Sequence, residues 1–406
     1  MHTSAIVEPG PPLTREQVQR YSRHLLLGQL GDAGQRRLLA ARVLVMGAGG
    51  LGSPVLQYLA AAGVGHLTVV DDDVVDASNL QRQVIHSTAD VGRPKVESAA
   101  AHVRALNPDV VVTGHHVRLD AANARDLLGG HDLVIDGTDN FPTRYLVNDV
   151  CAELGIPLVW GSILRFDAQV SVFWSRPGGD SPGVTLRDLF PTPPPEGTTP
   201  SCGQAGVLGA MCGQVGSIMA AEAVKLITGA GEPLLGRVLV LDVLGARWSE
   251  LPVRPRPGTP AAPSTPAELG YDPAPGVAPA GQGDEAAALP AISVRALAER
   301  LGARERGTDD FVLLDVREAP ERGIVAIPGA VSLPLAEVLA DPEGVVHRLD
   351  LGRPGGVARE LLVHCRSGQR SAQAVHALTD AGARAVNVEG GVLAWVADVD
   401  PTLPTY

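Results

Sequence analysis

The stretch Gly47-Ala48-Gly49-Gly50-Leu51-Gly52 follows an apolar run, Val43 to Met46. Its spacing is G-x-G-x-x-G, which lets backbone N–H groups approach a phosphate, and Asp71 follows about 20 residues later, where a ribose carboxylate is expected. These features alone suit NAD as well as any other nucleotide. The residues that follow do not suit a dehydrogenase, which needs no set of cations along the phosphates. Ser78-Asn79-Leu80-Gln81-Arg82-Gln83 shows little apolar patterning, and Gly92-Arg93-Pro94-Lys95 places a lysine at a helix start. A helix N-terminus prefers anions, so Lys95 there points to an anionic ligand between the ammonium and the helix. Of 33 cationic residues only two are lysines, Lys95 and Lys225, which marks Lys95 further. Asp136-Gly137-Thr138-Asp139-Asn140 follows another apolar run, and a carboxylate at the end of a parallel strand suits Mg²⁺ beside substrate phosphates.

A second chemistry lies far downstream. Residues 361–372 read LLVHCRSGQRSA: a strand, a loop with one cysteine, and a helix. Such a loop turns backbone N–H groups and a helix N-terminus toward the Cys365 sulfur, which favours an anion there. Four residues separate Cys365 from Arg370, one fewer than in cysteine phosphatases. The tighter loop of Arg366, Ser367, Gly368, Gln369 and Arg370 suits a single sulfur atom, held as a cysteine persulfide.

Alternating strands and helices must position these residues. Strands are expected at Arg42–Met46, His66–Val70, Val110–His115 and Leu133–Asp136, helices at Gly50–Ala62 and Lys95–Leu106, and one helical stretch over 14–40. That alternation predicts an α/β class with a doubly wound, largely parallel, Rossmann-like sheet. A more polar strand at Gln169–Trp174, a long helix at Gly206–Gly229 and a strand at Arg237–Asp242 complete a first domain over 14–252. Residues 253–289, rich in Pro, Ala and Gly, read as a linker with a span of ~35 Å. A second, smaller α/β domain of about 110 residues follows over 290–406. A net charge of −12 argues against nucleic-acid binding. No apolar run reaches the ~18 residues of a membrane span, and no signal peptide is visible, so a cytoplasmic location is expected. The four cysteines, Cys151, Cys202, Cys212 and Cys365, show no C-x-x-C spacing.

The ordered set RYSRH, GAGGLG, VVDDD, SNLQRQ, GRPK, DGTDN and SCGQAGVLG resembles the ThiF/MoeB family, relatives of ubiquitin-activating enzymes that adenylylate small ubiquitin-fold sulfur carriers. The resemblance covers roughly residues 14–252 and implies ATP as substrate with Mg²⁺. It implies Gly47, Gly49 and Gly50 against the phosphates and Asp71 on the ribose. Ser78, Asn79, Leu80, Gln81, Arg82 and Lys95 would lie along the nucleotide, with Asp139 on Mg²⁺ and Asn140 beside it. Arg23, in RYSRH, matches an arginine that the family supplies from the neighbouring subunit, which implies a homodimer. Many members hold zinc with two C-x-x-C pairs. The matching stretches, 182–190 and 252–261, contain no cysteine, so no zinc is expected and local packing must replace it.

The second domain resembles a rhodanese, through LLDVRE, AIPGA, CRSGQR and GGVLAW. Asp315 and Arg317 are expected to hold the fold rather than do chemistry. The fusion resembles the MoeZ-type adenylyltransferase/sulfurtransferases. It implies a carrier ending in Gly-Gly, activated as an acyl-adenylate and converted to a thiocarboxylate by the Cys365 persulfide. The resemblance further implies thiosulfate or a cysteine desulfurase as sulfur donor, in molybdopterin, thiamine or cysteine biosynthesis. Cys202 matches cysteines that form covalent carrier intermediates in some relatives. A conjugation activator working through a Cys202 thioester and an NAD-dependent dehydrogenase are the alternatives.

Overall fold

Val43, Leu44, Val45 and Met46 are apolar in succession because the strand they build is covered on both faces. The computed structural model describes residues 4–178, 182–193, 206–256, 289–349 and 359–405. The chain forms two units that divide within residues 257–288, outside the described ones, where most of the expected linker falls. In the first unit, β1 (Arg42–Met46), β2 (His66–Val70), β3 (Val111–His115), β4 (Leu133–Asp136) and β5 (Leu158–Leu164) run parallel in the order β3-β2-β1-β4-β5. The order reverses between β1 and β4, which opens a crevice at their carboxyl ends. Three antiparallel strands, β6 (Asp167–Phe173), β7 (Arg237–Asp242) and β8 (Arg247–Pro252), extend the sheet beyond β5. β5 and β8 were not anticipated: β8 is exposed along its length and has no apolar pattern to betray it.

The N-terminal helical stretch breaks into Arg15–Arg20, Ser22–Leu25 and Gly31–Ala40. Tyr21 turns inward between the first two; its hydroxyl donates to Asp109 and accepts from Asn107. The Gly209–Thr228 helix is long and apolar enough to cross a membrane, but 56% of that apolar window is buried within the unit. Met211, Val215, Met219, Ala223 and Leu226 join the apolar core beside β1, which accounts for its composition.

The expected linker starts too early. Val253 is buried with Val184 and Val238, and Arg256 donates from its backbone N–H to Asp188 Oδ1 and from Nε to the Asp188 carbonyl, both at 2.8 Å. The two stretches matching the family's zinc segments are thus joined by an apolar contact and two hydrogen bonds.

In the second unit all five strands are parallel, in the order β11-β10-β12-β13-β9. They are β9 (Ala291–Ile292), β10 (Phe311–Asp315), β11 (Val331–Ser332), β12 (Glu360–His364) and β13 (Ala385–Val388). Successive residues of β10 serve opposite faces: Leu313 packs with Leu362 and Trp395, Leu314 with Val363 and Val375. The Gln369–Asp380 helix starts directly after the cysteine loop.

Candidate active sites

In the first unit, Gly47 follows β1, Asp71 follows β2 and Gly137 follows β4, and the registers Met46↔Val70 and Met46↔Asp136 bring all three to one sheet edge. A cleft of about 440 Å³ opens there. Two glycines are sterically required. Gly47 has φ +87°, which side-chain-bearing residues avoid, and a Cβ on Gly52 would stand 1.9 Å from the Gly47 carbonyl oxygen. The loop therefore runs tight against the start of the Gly52–Ala62 helix.

The cleft is lined by Gly47, Gly49 and Gly50, by Asp71, Asn79, Arg82 and Lys95, and by Asp139 and Asn140. Residues separated widely in sequence are thus brought together. Asp71 accepts from the N–H of Ala48 at 2.8 Å and of Asp73 at 2.9 Å, and burial raises its pKa above the ordinary carboxylate value despite nearby Lys95. Lys95 does not wait for a ligand to balance it: its ammonium lies 2.7 Å from Asp73 Oδ2. The conflict between a lysine and a helix N-terminus is answered inside the chain, and an entering anion would share Lys95 with a largely exposed carboxylate. Asn140 caps the Phe141–Leu154 helix by accepting from Thr143 N–H at 3.0 Å, so its side chain is already committed. Asp139 is exposed at the cleft.

Ser78, Leu80 and Gln81 do not line the cleft. The Ser78 hydroxyl donates to Asp76 at 2.6 Å, and the Ser78 carbonyl accepts from Arg82 Nη1 at 3.2 Å, so Ser78 supports Arg82 instead. The Gln81 backbone packs against Gly209, where a Cβ would stand 2.2 Å from the Gln81 carbonyl oxygen. Arg23 is exposed and does not line the cleft of its own chain. Cys202 lies outside the described residues. Cys151 is buried with a raised pKa, and Cys212, buried in the apolar core, also borders the cleft against Gly50.

Sequence reasoning missed Arg144. Its guanidinium donates to the Thr138 carbonyl from Nε at 3.1 Å and Nη2 at 2.7 Å, and to Ser162 Oγ at 2.9 Å. It thereby holds the Gly137–Asp139 turn from beneath. Asp136 helps, accepting from the Thr138 N–H and hydroxyl at 2.9 and 2.7 Å. Gln83, in the same SNLQRQ run as Arg82, also lines the cleft. The sign available for Arg144 was its place one turn beyond Asn140 on a helix facing the strand end.

In the second unit, backbone wraps the Cys365 sulfur. Gly368 N–H donates to Sγ at 3.1 Å, and Ser371 Oγ lies 3.4 Å away. Cys365 is 1% exposed, although Ser367 and Gln369 around it are exposed and Arg366 half-buried. The polar loop thus shelters its cysteine rather than presenting it. The GGVLAW run closes the loop from behind: Val392 and Leu393 N–H groups donate to the carbonyls of Cys365 and Arg366, and a Cβ on Gly391 would stand 2.4 Å from the Cys365 carbonyl oxygen. Arg370 forms a two-pronged pair with Glu321 at 2.6 and 2.8 Å. Asp315 and Arg317, both fully buried, pair at 2.7 Å, and Arg317 also donates to the Val325 carbonyl. They brace the end of β10 beside β12.

His364 precedes the cysteine and is fully buried, 3.8 Å from Asp315. Burial depresses its pKa from 6.5 to about 4. It folds neutral and titrates near 6.5 when unfolded, so its stabilisation is complete above pH 6.5 and lost as pH falls to about 4. That is roughly 3 kcal/mol, and the pH dependence of the unfolding transition assigned to this unit should flatten in His364→Gln.

Residues 21–261 match the family model described as ThiF family. The chain belongs to the ThiF family. Residues 297–398 of this ThiF-family chain match a Rhodanese-like domain. Over 402 residues the chain is 47% identical to the probable adenylyltransferase/sulfurtransferase MoeZ of Mycobacterium tuberculosis, spanning 99% of this chain and 98% of that protein. It is 51% identical over 255 residues to the sulfur carrier protein adenylyltransferase of Thermus thermophilus, covering 63% of this chain and 94% of that one. Among solved structures, the Microcin C7 biosynthetic enzyme MccB in complex with N-formylated MccA shares the fold at a TM-score of 0.53 and 20% identity, over 60% of this chain and 75% of that one.

Proposed function

We propose that this adenylyltransferase and sulfurtransferase activates the C-terminal carboxylate of a small ubiquitin-fold sulfur carrier ending in Gly-Gly, and then converts it to a thiocarboxylate. The observation that carries this reading is a glycine loop, Arg82, Lys95 and Asp139 around one cleft, in a chain that also holds a cysteine in a persulfide-type loop. The full-length likeness to a protein named as an adenylyltransferase/sulfurtransferase supports it.

A carboxylate is a poor acyl donor until its oxygen carries a good leaving group. The carrier carboxylate oxygen attacks the α-phosphorus of ATP, the bond to the β-phosphate oxygen breaks, and acyl-adenylate and pyrophosphate result. The protein's part is alignment and charge neutralisation. Gly49 and Gly50 offer backbone N–H groups, Asp71 takes the ribose, and Arg82 and Lys95 face the phosphates. An exposed carboxylate beside a polar cleft fits Mg²⁺, which Asp139 would hold and which neutralises triphosphate charge. The terminal sulfur of the Cys365 persulfide then attacks the acyl carbon and AMP leaves, giving an acyl disulfide. Two thiols, oxidised to a disulfide, release the carrier thiocarboxylate and restore Cys365. Thiosulfate or a cysteine desulfurase loads the persulfide, in molybdopterin, thiamine or cysteine biosynthesis. Arg23, exposed and outside the lining of its own cleft, acts on a partner's cleft in a homodimer, and Cys202 forms a covalent carrier adduct. A cytoplasmic location is part of this proposal.

The chain needs no zinc. The Val184–Val238–Val253 contact and the Arg256–Asp188 bonds support this, because they join the two segments that zinc joins in relatives. A chelator should leave Tm unchanged, whereas Asp188→Ala, which removes the buried carboxylate that accepts from the Arg256 N–H and from the Thr185 N–H and hydroxyl, should cost about 2 kcal/mol in thermal unfolding.

The deciding experiment is mass spectrometry of a carrier incubated with the chain, ATP, Mg²⁺ and thiosulfate. A carboxylate-to-thiocarboxylate shift that requires ATP is expected. NAD binding without carrier-dependent pyrophosphate exchange would point back to a dehydrogenase.

A further inference from the structure

The glycine loop is held from behind by an imidazole. His86 is 7% exposed, with Nε2 3.0 Å from the Ala48 carbonyl oxygen and Nδ1 2.9 Å from Ser98 Oγ. A carbonyl can only accept, so Nε2 carries the proton and Nδ1 accepts from the Ser98 hydroxyl. Burial lowers the His86 pKa below its ordinary value; the Ala48 hydrogen bond opposes that shift and the Lys95 charge adds to it. Ser98 is buried on the same helix that begins with Lys95.

The Ala48 carbonyl and the Gly49 N–H belong to one planar trans peptide, in which they point in opposite directions. Drawing that carbonyl back onto His86 turns the Gly49 N–H the other way. Gly49 lines the cleft, and its N–H donates to no protein acceptor among the described residues. The preceding peptide is fixed as well, since Ala48 N–H donates to Asp71 Oδ2 at 2.8 Å. Between two anchored sides, the peptide joining Ala48 to Gly49 has one orientation. Without the imidazole it could rotate, because Gly49 and Gly50 tolerate backbone angles that other residues avoid.

We propose that His86, oriented by Ser98, is a positioning residue that fixes the Ala48–Gly49 peptide so that the Gly49 N–H meets the nucleotide phosphates. It touches neither nucleotide nor carrier. This rests on the nucleotide reading of the cleft.

The test uses the full chain with Mg²⁺ and the non-hydrolysable ATP analogue AMPPNP, titrated calorimetrically. Wild type should bind; if it does not, the nucleotide reading itself fails. His86→Ala should weaken binding by about tenfold, the loss of one well-placed hydrogen bond. In ATP–pyrophosphate exchange its KM for ATP should rise by about the same factor, with kcat at saturating ATP within about twofold of wild type. His86→Gln, which keeps an N–H within reach of the Ala48 carbonyl, should recover binding to within about threefold. Ser98→Ala, which frees the ring to present a lone pair to that carbonyl, should weaken binding by about threefold and decides the matter if His86→Ala does not fold. Wild-type affinity in His86→Ala, equal weakening by alanine and glutamine, or unchanged binding in Ser98→Ala would overturn the proposal.

Discussion

Cys365→Ala is expected to abolish thiocarboxylate formation, by at least about 10³-fold, while leaving carrier-dependent ATP–pyrophosphate exchange at the wild-type rate. The asymmetry follows from the chemistry. Only a sulfur atom can carry the persulfide, and the Gly368 N–H and Ser371 hydroxyl that surround Sγ have no substitute nucleophile to activate. Adenylylation needs none of these groups, since its cations and glycines belong to the other unit. Intact-mass analysis of the carrier reads the first step and the second separately: the adenylate should persist in the variant and the sulfur-bearing product should not. A Cys365→Ala protein that still forms thiocarboxylate from thiosulfate would remove the rhodanese-like loop from the reaction.

Arg82→Ala and Asp139→Ala should each lower carrier-dependent ATP–pyrophosphate exchange by about 10²- to 10³-fold. Both remove charge where charge shifts during the reaction, and neither side chain is built into the apolar core. Arg82 is half-buried and steadied by the Ser78 carbonyl, so its loss also releases an ordered guanidinium from the cleft wall. Asp139 is exposed and held in place through Arg144 and the Thr138 carbonyl, so Asp139→Ala should fold normally. Unchanged Tm with lost exchange separates chemistry from stability. A variant retaining exchange within about threefold would show that this charge is a bystander.

The parts of the nucleotide site legible in the sequence are those with a local cause. Gly47 and Gly52 are dictated by backbone angle and close approach within a few residues of one another. Strands β1 and β4 announce themselves because both of their faces are covered and the apolar runs 43–46 and 133–135 are unbroken, and β2 does so through Leu67, Val69 and Val70. The cysteine loop is equally local: six consecutive residues supply both the sulfur and the N–H group that faces it.

Partners brought from a distance were not legible. Lys95 was marked out by rarity and position, but that Asp73 answers its charge depends on how a turn folds back after β2. Arg144 and His86 look like ordinary helix and loop residues until the sheet edge puts Thr138 and Ala48 against them. The exposed strand β8 has no pattern because no core face constrains it, and Val253 reads as linker until it meets Val184. By itself, then, the sequence marked out the glycine loop, the buried strands β1 and β4 and the cysteine loop, since these follow from short-range sterics and burial. The tertiary structure alone decided which charges are already paired, which peptides are clamped and how deeply Cys365 is sheltered, because those depend on contacts between segments many residues apart.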